Sequence, residues 1–121
     1  MVELNTIQTK ENLNRVFAAD DKGNGGANHK YIVWLDRGLA EPKEVEINFQ
    51  NGARAMEGSV EGVLDGDLLE IVRHRMQCFQ AGPYASEYNE HALKHIEEAL
   101  HCLNARVEDR IKRQVLGTNN K

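Results

Sequence analysis

The chain has 121 residues, enough for one domain of ordinary size, and 40% of them are hydrophobic, so its core is modest. A formal net charge of −4 supplies no global basic field and argues against a DNA- or RNA-binding track. The two cysteines, Cys78 and Cys102, form no CxxC or comparable metal pair, and no disulfide is expected between them.

The polar start, "MVELNTIQTKENL", has no apolar signal region, and no stretch of the chain is long enough to span a membrane. A cytosolic, reduced protein is expected. Residues 1–28 form a polar N-terminal segment. A short helix is expected at about residues 10–19, with Thr9 as cap and Leu13, Val16 and Phe17 on one side. The glycines of "DKGNGGANH" read as a flexible linker. "GNGGAN" lacks the preceding strand and following apolar helix of a phosphate-binding loop.

Residues 29–63 read as a β-rich part. "KYIVWL" is β-branched and aromatic, as strands are. "DRGLAEPK" supplies turn chemistry through Gly38 and Pro42. "EVEINF" alternates, with Val45, Ile47 and Phe49 on one face and Glu44, Glu46 and Asn48 on the other. Asn51-Gly52 is a strong hairpin signal, so a further strand through Arg54 and Met56 is expected to pair back.

Residues 64–118 read as a helical hairpin. Leu68, Leu69, Val72, Met76 and Phe79 recur at helical spacing, with Asp65 as cap and Gly82-Pro83 as the stop. A second helix starts at the cap Ser86. It carries the stripe Leu93, Ile96, Leu100, Leu103, Val107 and Ile111, and nothing interrupts it before Gly117. Run to about Val115 it would be about 45 Å long, against about 25 Å for the first helix. Its projecting apolar end needs another surface, and a second protomer is the expected one. The reading is a single α+β domain: a small antiparallel sheet over about residues 30–60, then an antiparallel two-helix hairpin with a long C-terminal helix.

Three constellations bear on function. Arg106, Arg110 and Arg113 recur at i, i+4, i+7, one helical face suited to phosphates or equally to solvent. Residues 104–121 hold five cations against two carboxylates, a net +3, while the rest of the chain carries −7. A basic end on an acidic body suits a small anion. His91, His95, Glu98 and Cys102 share a stripe that spans three turns, too long for one ion, so no metal is expected. Phe79 and Asn89 flank the Gly-Pro break, where a ring and an amide serve either to close a turn or to stack and read a base. From Asn89 to Arg106 is about 25 Å of helix. A small ligand touches both only if two protomers pack their long helices antiparallel, which gives two equal shared sites.

"FQAGPYAS" followed by "ALKHIEEALHCLNARVEDRIKRQVLGT" resembles the hairpin of the phage Thoeris anti-defence proteins of the first type, a hairpin shared with the phage anti-CBASS sponges. "YIVWL…EVEINFQNGA" resembles the β-rich part of the Thoeris-type proteins. The resemblance implies a sponge in the host bacterial cytoplasm that binds cyclic ADP-ribose isomers without cleaving them, with cyclic oligonucleotides as a second ligand class. It implies a homodimer or a hexamer, no cofactor and no catalytic residue. By similarity Phe79 and Asn89 contact the base, Arg106 and Arg110 the phosphates, and Arg54 the ligand as well. Arg113, third in the arginine row, is carried with them as a ligand-binding candidate, and Gly117-Thr118 is the candidate place for the second ligand class. The rival readings are an enzyme that degrades cyclic nucleotide signals and a helical interaction protein without a nucleotide site.

Overall fold

A computed structural model describes residues 1–8, 10, 13–35, 38 and 40–121. The chain forms two compact units, Met1–Val63 and Leu64–Lys121. It is α+β: four strands in a single antiparallel sheet, then two helices.

The first unit is built on ring packing. The strands β1 (Val2–Glu3), β2 (Arg15–Ala18), β3 (Lys30–Leu35) and β4 (Lys43–Asn48) lie in chain order across the sheet. Arg15 pairs with Trp34 and Phe17 with Ile32, so period-two alternation puts all four on one face. The Phe17 and Trp34 rings lie 4.7 Å apart, and the Arg15 guanidinium stands 5.2 and 5.1 Å from their centroids. Glu3 accepts two hydrogen bonds from that guanidinium, at 2.8 and 2.9 Å, and the Trp34 indole N–H donates to Glu44 at 2.9 Å. Phe17 and Ala18 are the buried apolar residues of the described chain.

This packing overturns the helix expected over residues 10–19. Thr9, its cap, lies outside the described residues, but Arg15–Ala18 is a strand. Leu13, Val16 and Phe17 satisfy a helical spacing, yet an edge at β3 and a ring at Trp34 reward the extended form. The polar N-terminal segment thus supplies half the strands. The glycine stretch is a bonded connection and not a loose linker: Gly23 and Ala27 close it through a 2.8 Å backbone bond, and the Asn24 amide donates to Asn51 Oδ1 at 2.8 Å. At its base Asp20 accepts from the His29 N–H and from the Asn28 amide.

β4 is a strand, but the wet and dry faces expected from "EVEINF" do not hold: Val45 is 45% exposed, and Glu44 and Glu46 pair with Trp34 and Ile32 on the ring-bearing face. The hairpin after it differs. The chain does return, but it pairs through Asn51 with Val60 and through Gln50 with the Val63 carbonyl. Arg54 and Met56 sit in turns at the tip, closed by Met56 N–H to Ala53 O, and not in a strand. Gly52, at φ 93°, opens this wider loop. Gly62 allows the return: a Cβ there would fall 2.4 Å from the Phe49 carbonyl carbon.

The second unit is an antiparallel pair, α1 (Asp65–Gln80) and α2 (Glu87–Lys112). Asp65 is the first helical residue and not the cap. Asp67, two positions on, accepts the Leu64 N–H at 2.9 Å instead. α1 ends at Gln80, whose side chain makes a reciprocal pair with Ser86: Ser86 N–H donates to Oε1 at 3.0 Å and Nε2 donates to Ser86 O at 3.1 Å. Ser86 caps α2 as expected, accepting from Asn89 N–H at 3.1 Å. Arg73 of α1 bridges to Glu97 of α2 at 2.9 Å, and that hydrogen bond raises the pKa of the guanidinium above its ordinary value.

α2 stops three residues short of the expected end. Its 26 residues span about 39 Å. The closure is a Schellman motif: Gln114 N–H bonds Ile111 O, Val115 N–H bonds Arg110 O, and Gln114 takes φ 60°. A glutamine in the left-handed region carries no sequence signal, since glycine is the usual occupant. Arg110, 9% exposed, folds back so that Nη2 donates to Val115 O at 3.0 Å and Thr118 O at 3.1 Å.

Two substitutions test this closure. Gln114→Gly relieves the left-handed backbone and should stabilise the protein by about 0.5–1 kcal/mol. Arg110→Ala removes two charge-assisted bonds and should destabilise it by about 2 kcal/mol. Chemical denaturation measures both. A pH prediction follows from Asp20. Partial burial raises its pKa, but hydrogen bonds from the His29 and Lys30 N–H groups and the Asn28 amide outweigh that and hold it below the usual 3.8. Its stabilising contribution is therefore complete above pH 3.8 and is lost as pH falls through the lower folded value. The stability gap between wild type and Asp20→Asn should close over that acid range, read by denaturant midpoints.

Candidate functional site

The corner between the two helices is closed by side-chain hydrogen bonds. Gln80 and Ser86 hold its two ends together through their paired bonds, and Ala85 N–H bonds Gly82 O at 3.4 Å within it. Gly82 does not take a positive φ, so the stop is made by the Gln80 amide and by Pro83, which lacks an N–H, more than by glycine conformation.

On this corner Phe79 keeps 36% of its surface exposed. It does not act as a buried plug. The Arg75 guanidinium stands over the ring at 5.4 Å from the centroid. Asn89, the third residue of α2, is positioned twice: its N–H binds Ser86 Oγ, and its Nδ2 donates to Tyr84 O at 3.3 Å. With the amide nitrogen engaged inward, Oδ1 is left to accept a hydrogen bond from outside. Tyr84 itself is 79% exposed.

The arginine row lies at the other end of α2. Arg106 is exposed and makes no ion pair or hydrogen bond among the described residues. It lines an open groove of about 540 Å³ between the first turns of α1 and the last half of α2, with Leu100, Leu103 and Val107 among the lining side chains and Asp65, Asp67 and Glu70 on the α1 side. The even helical spacing of the three arginines hides three different states. Arg110 is buried on the carbonyls of the C-terminal turn. Arg113 is paired with Asp109 at 3.0 Å and donates to Lys121 O. Arg54, in the first unit, is exposed at the loop tip without an acceptor among the described residues.

Phe79 and Asn89 thus share the corner, while Arg106 lies 17 residues further along α2, about 25 Å away on the same straight helix. Arg54 belongs to the separate first unit. Of the histidine stripe, His95 Nδ1 meets Glu98 at 3.3 Å, and no third His, Cys, Asp or Glu joins them among the described residues. Cys78 and Cys102 are free thiols. Cys78 Sγ lies 3.8 Å from His74 Nε2, a Cys–His pair that sequence reading did not assemble; no third group orients the imidazole among the described residues. Sequence reading also missed Gln80 and Arg75. Gln80 carries no local signal, because its partner is a backbone six residues away. Arg75 had one: it stands at i−4 from Phe79. Among the described residues no helix is long and apolar enough to cross a membrane.

Residues 41–108 match the family model described as "Acb2/Tad1, hairpin domain", a stretch that takes in β4, the corner, Phe79, Asn89 and Arg106. The chain is 36% identical over 99 residues to "Thoeris anti-defense 1" of Bacillus phage SBSphiJ7, an alignment that covers 82% of this chain and 66% of that protein. It spans just under two thirds of the relative's length. The match extends over more than half of the sequence and includes the whole helical corner, and the chain belongs to the Acb2/Tad1 hairpin-domain family.

Proposed function

We propose that this protein counters anti-phage defence by sequestering a cyclic ADP-ribose signal without cleaving it. The observation that carries the reading is the exposed Phe79 ring on a rigid corner, inside the segment that matches the hairpin family. A relative named for Thoeris anti-defence supports the biological setting. In this reading Phe79 stacks the base, Asn89 Oδ1 accepts from a base amino group, and Arg106 takes a phosphate. Arg110 keeps Nε and Nη1 for an anion while Nη2 holds the C-terminal turn. Arg54 and Arg113 are further contacts of the same ligand.

The 25 Å between corner and Arg106 makes each site the work of two copies, with α2 helices antiparallel. Exposed apolar residues along the hairpin, among them Val107 and Ile111, then find cover against the partner. A hexamer built from such dimers is the larger assembly, and cyclic oligonucleotides are its second ligand class, with Gly117 and Thr118 as candidate contacts. The protein works in the cytoplasm of the infected host.

Native mass spectrometry with cyclic ADP-ribose isomers tests the reading. The expected result is an even-numbered oligomer with one ligand per protomer, and release of intact ligand on denaturation. Breakdown products would establish an enzyme instead, and no retention would overturn the reading. Arg106→Ala and Phe79→Ala should each weaken retention by at least about tenfold. Arg106 is the cleaner phosphate probe, because Arg110→Ala also loosens the end of α2.

A further inference from the structure

Arg75 stands apart from the other arginine of α1. Arg73 is held by Glu97 at 2.9 Å and by Glu70 at 3.6 Å. Arg75 makes no ion pair or hydrogen bond among the described residues. Its neighbours one turn away on the helix are Ile71, Val72, Cys78 and Phe79, none of them a carboxylate. Ile71 is 58% exposed, Val72 37% and Phe79 36%. A lone cation is therefore set in an exposed apolar strip, directly over a ring that still reaches solvent.

A guanidinium within about 6 Å of a ring centroid is attracted by the electron-rich face, so Arg75 at 5.4 Å holds Phe79 in one orientation. It covers one face of the ring and leaves the rest for a base. Its forked N–H groups, free of protein acceptors, suit the oxygens of a phosphate attached to that base. We infer that Arg75 is a further ligand-facing residue, which fixes the Phe79 ring for stacking and supplies a cation to the nucleotide's phosphates. The corner of one protomer then prefers a phosphorylated nucleoside over an unphosphorylated one before any partner residue is added. This inference rests on the reading of Phe79 as the base-holding ring.

The test is calorimetric binding of cyclic ADP-ribose and of adenosine, at low and at moderate salt, to the wild type, Arg75→Ala and Arg75→Lys. Arg75→Ala should weaken cyclic ADP-ribose binding about tenfold and flatten its salt dependence, with the change in adenosine binding several-fold smaller. Arg75→Lys should restore the salt dependence and part of the affinity. An arginine that merely stabilises α1 would shift the melting temperature but leave the salt slope and the preference for phosphate unchanged, and that result overturns the inference. If Arg75→Ala folds poorly, the lysine variant decides: loss of salt dependence with the charge retained overturns it equally. Wild-type protein that binds no cyclic ADP-ribose would overturn the proposed function and this inference together. Normal wild-type binding with an indifferent Arg75 would overturn the inference alone.

Discussion

A straight helix does not let its ends meet. The 26 residues of α2 span about 39 Å, which holds the corner at its start and the turn at its end well apart. The corner gathers an aromatic ring, a cation and an oriented amide at one end. The far end gathers a groove with Arg106 and the closed turn on Arg110. In the proposed function the two ends complement each other, a ring and an amide for a base here and a guanidinium for an anion there, and the rod holds them apart. The proposed antiparallel dimer would reunite them, because two-fold symmetry brings opposite ends together twice.

The state of each arginine matters more than its spacing. Arg106, Arg110 and Arg113 look equivalent on a helical wheel, but the first is open to solvent, the second is buried on backbone carbonyls and the third is paired with Asp109. Their difference is created by where α2 ends. Because Gln114 turns left-handed, residues 115–118 swing back over Arg110 and not over its neighbours. A helix that continued to Val115 would have left the row uniformly exposed.

How much was legible in the sequence follows the range of the interaction involved. β3, β4, both helices and the Ser86 cap announce themselves through local periodicity and capping chemistry. β2 was misread because its identity depends on Trp34, 19 residues from Arg15 in sequence, and a helical spacing of Leu13, Val16 and Phe17 masked it. The strand expected after Gly52 does not form: the chain returns through isolated bridges at Val60 and Val63, whose placement depends on how closely Gly62 approaches Phe49. At the corner the ring and the amide were visible as residue types. Gln80 was not, because a side-chain-to-backbone clamp leaves no pattern. The end of α2 was placed too late because glutamine gives no warning of a left-handed turn.

The Arg110–Thr118 bond also bears on how the protein can be cut down. The segment that matches the hairpin family ends at residue 108, before the acceptors that Arg110 needs and before the turn that presents them. At the other side it begins at residue 41, which leaves β4 without the three strands that precede it across the sheet. A fragment trimmed to the recognisable motif would therefore expose a β edge and fray a helix end. A minimal fragment of the helical unit has to run at least from Leu64 to Thr118, whatever the boundaries of the family resemblance suggest.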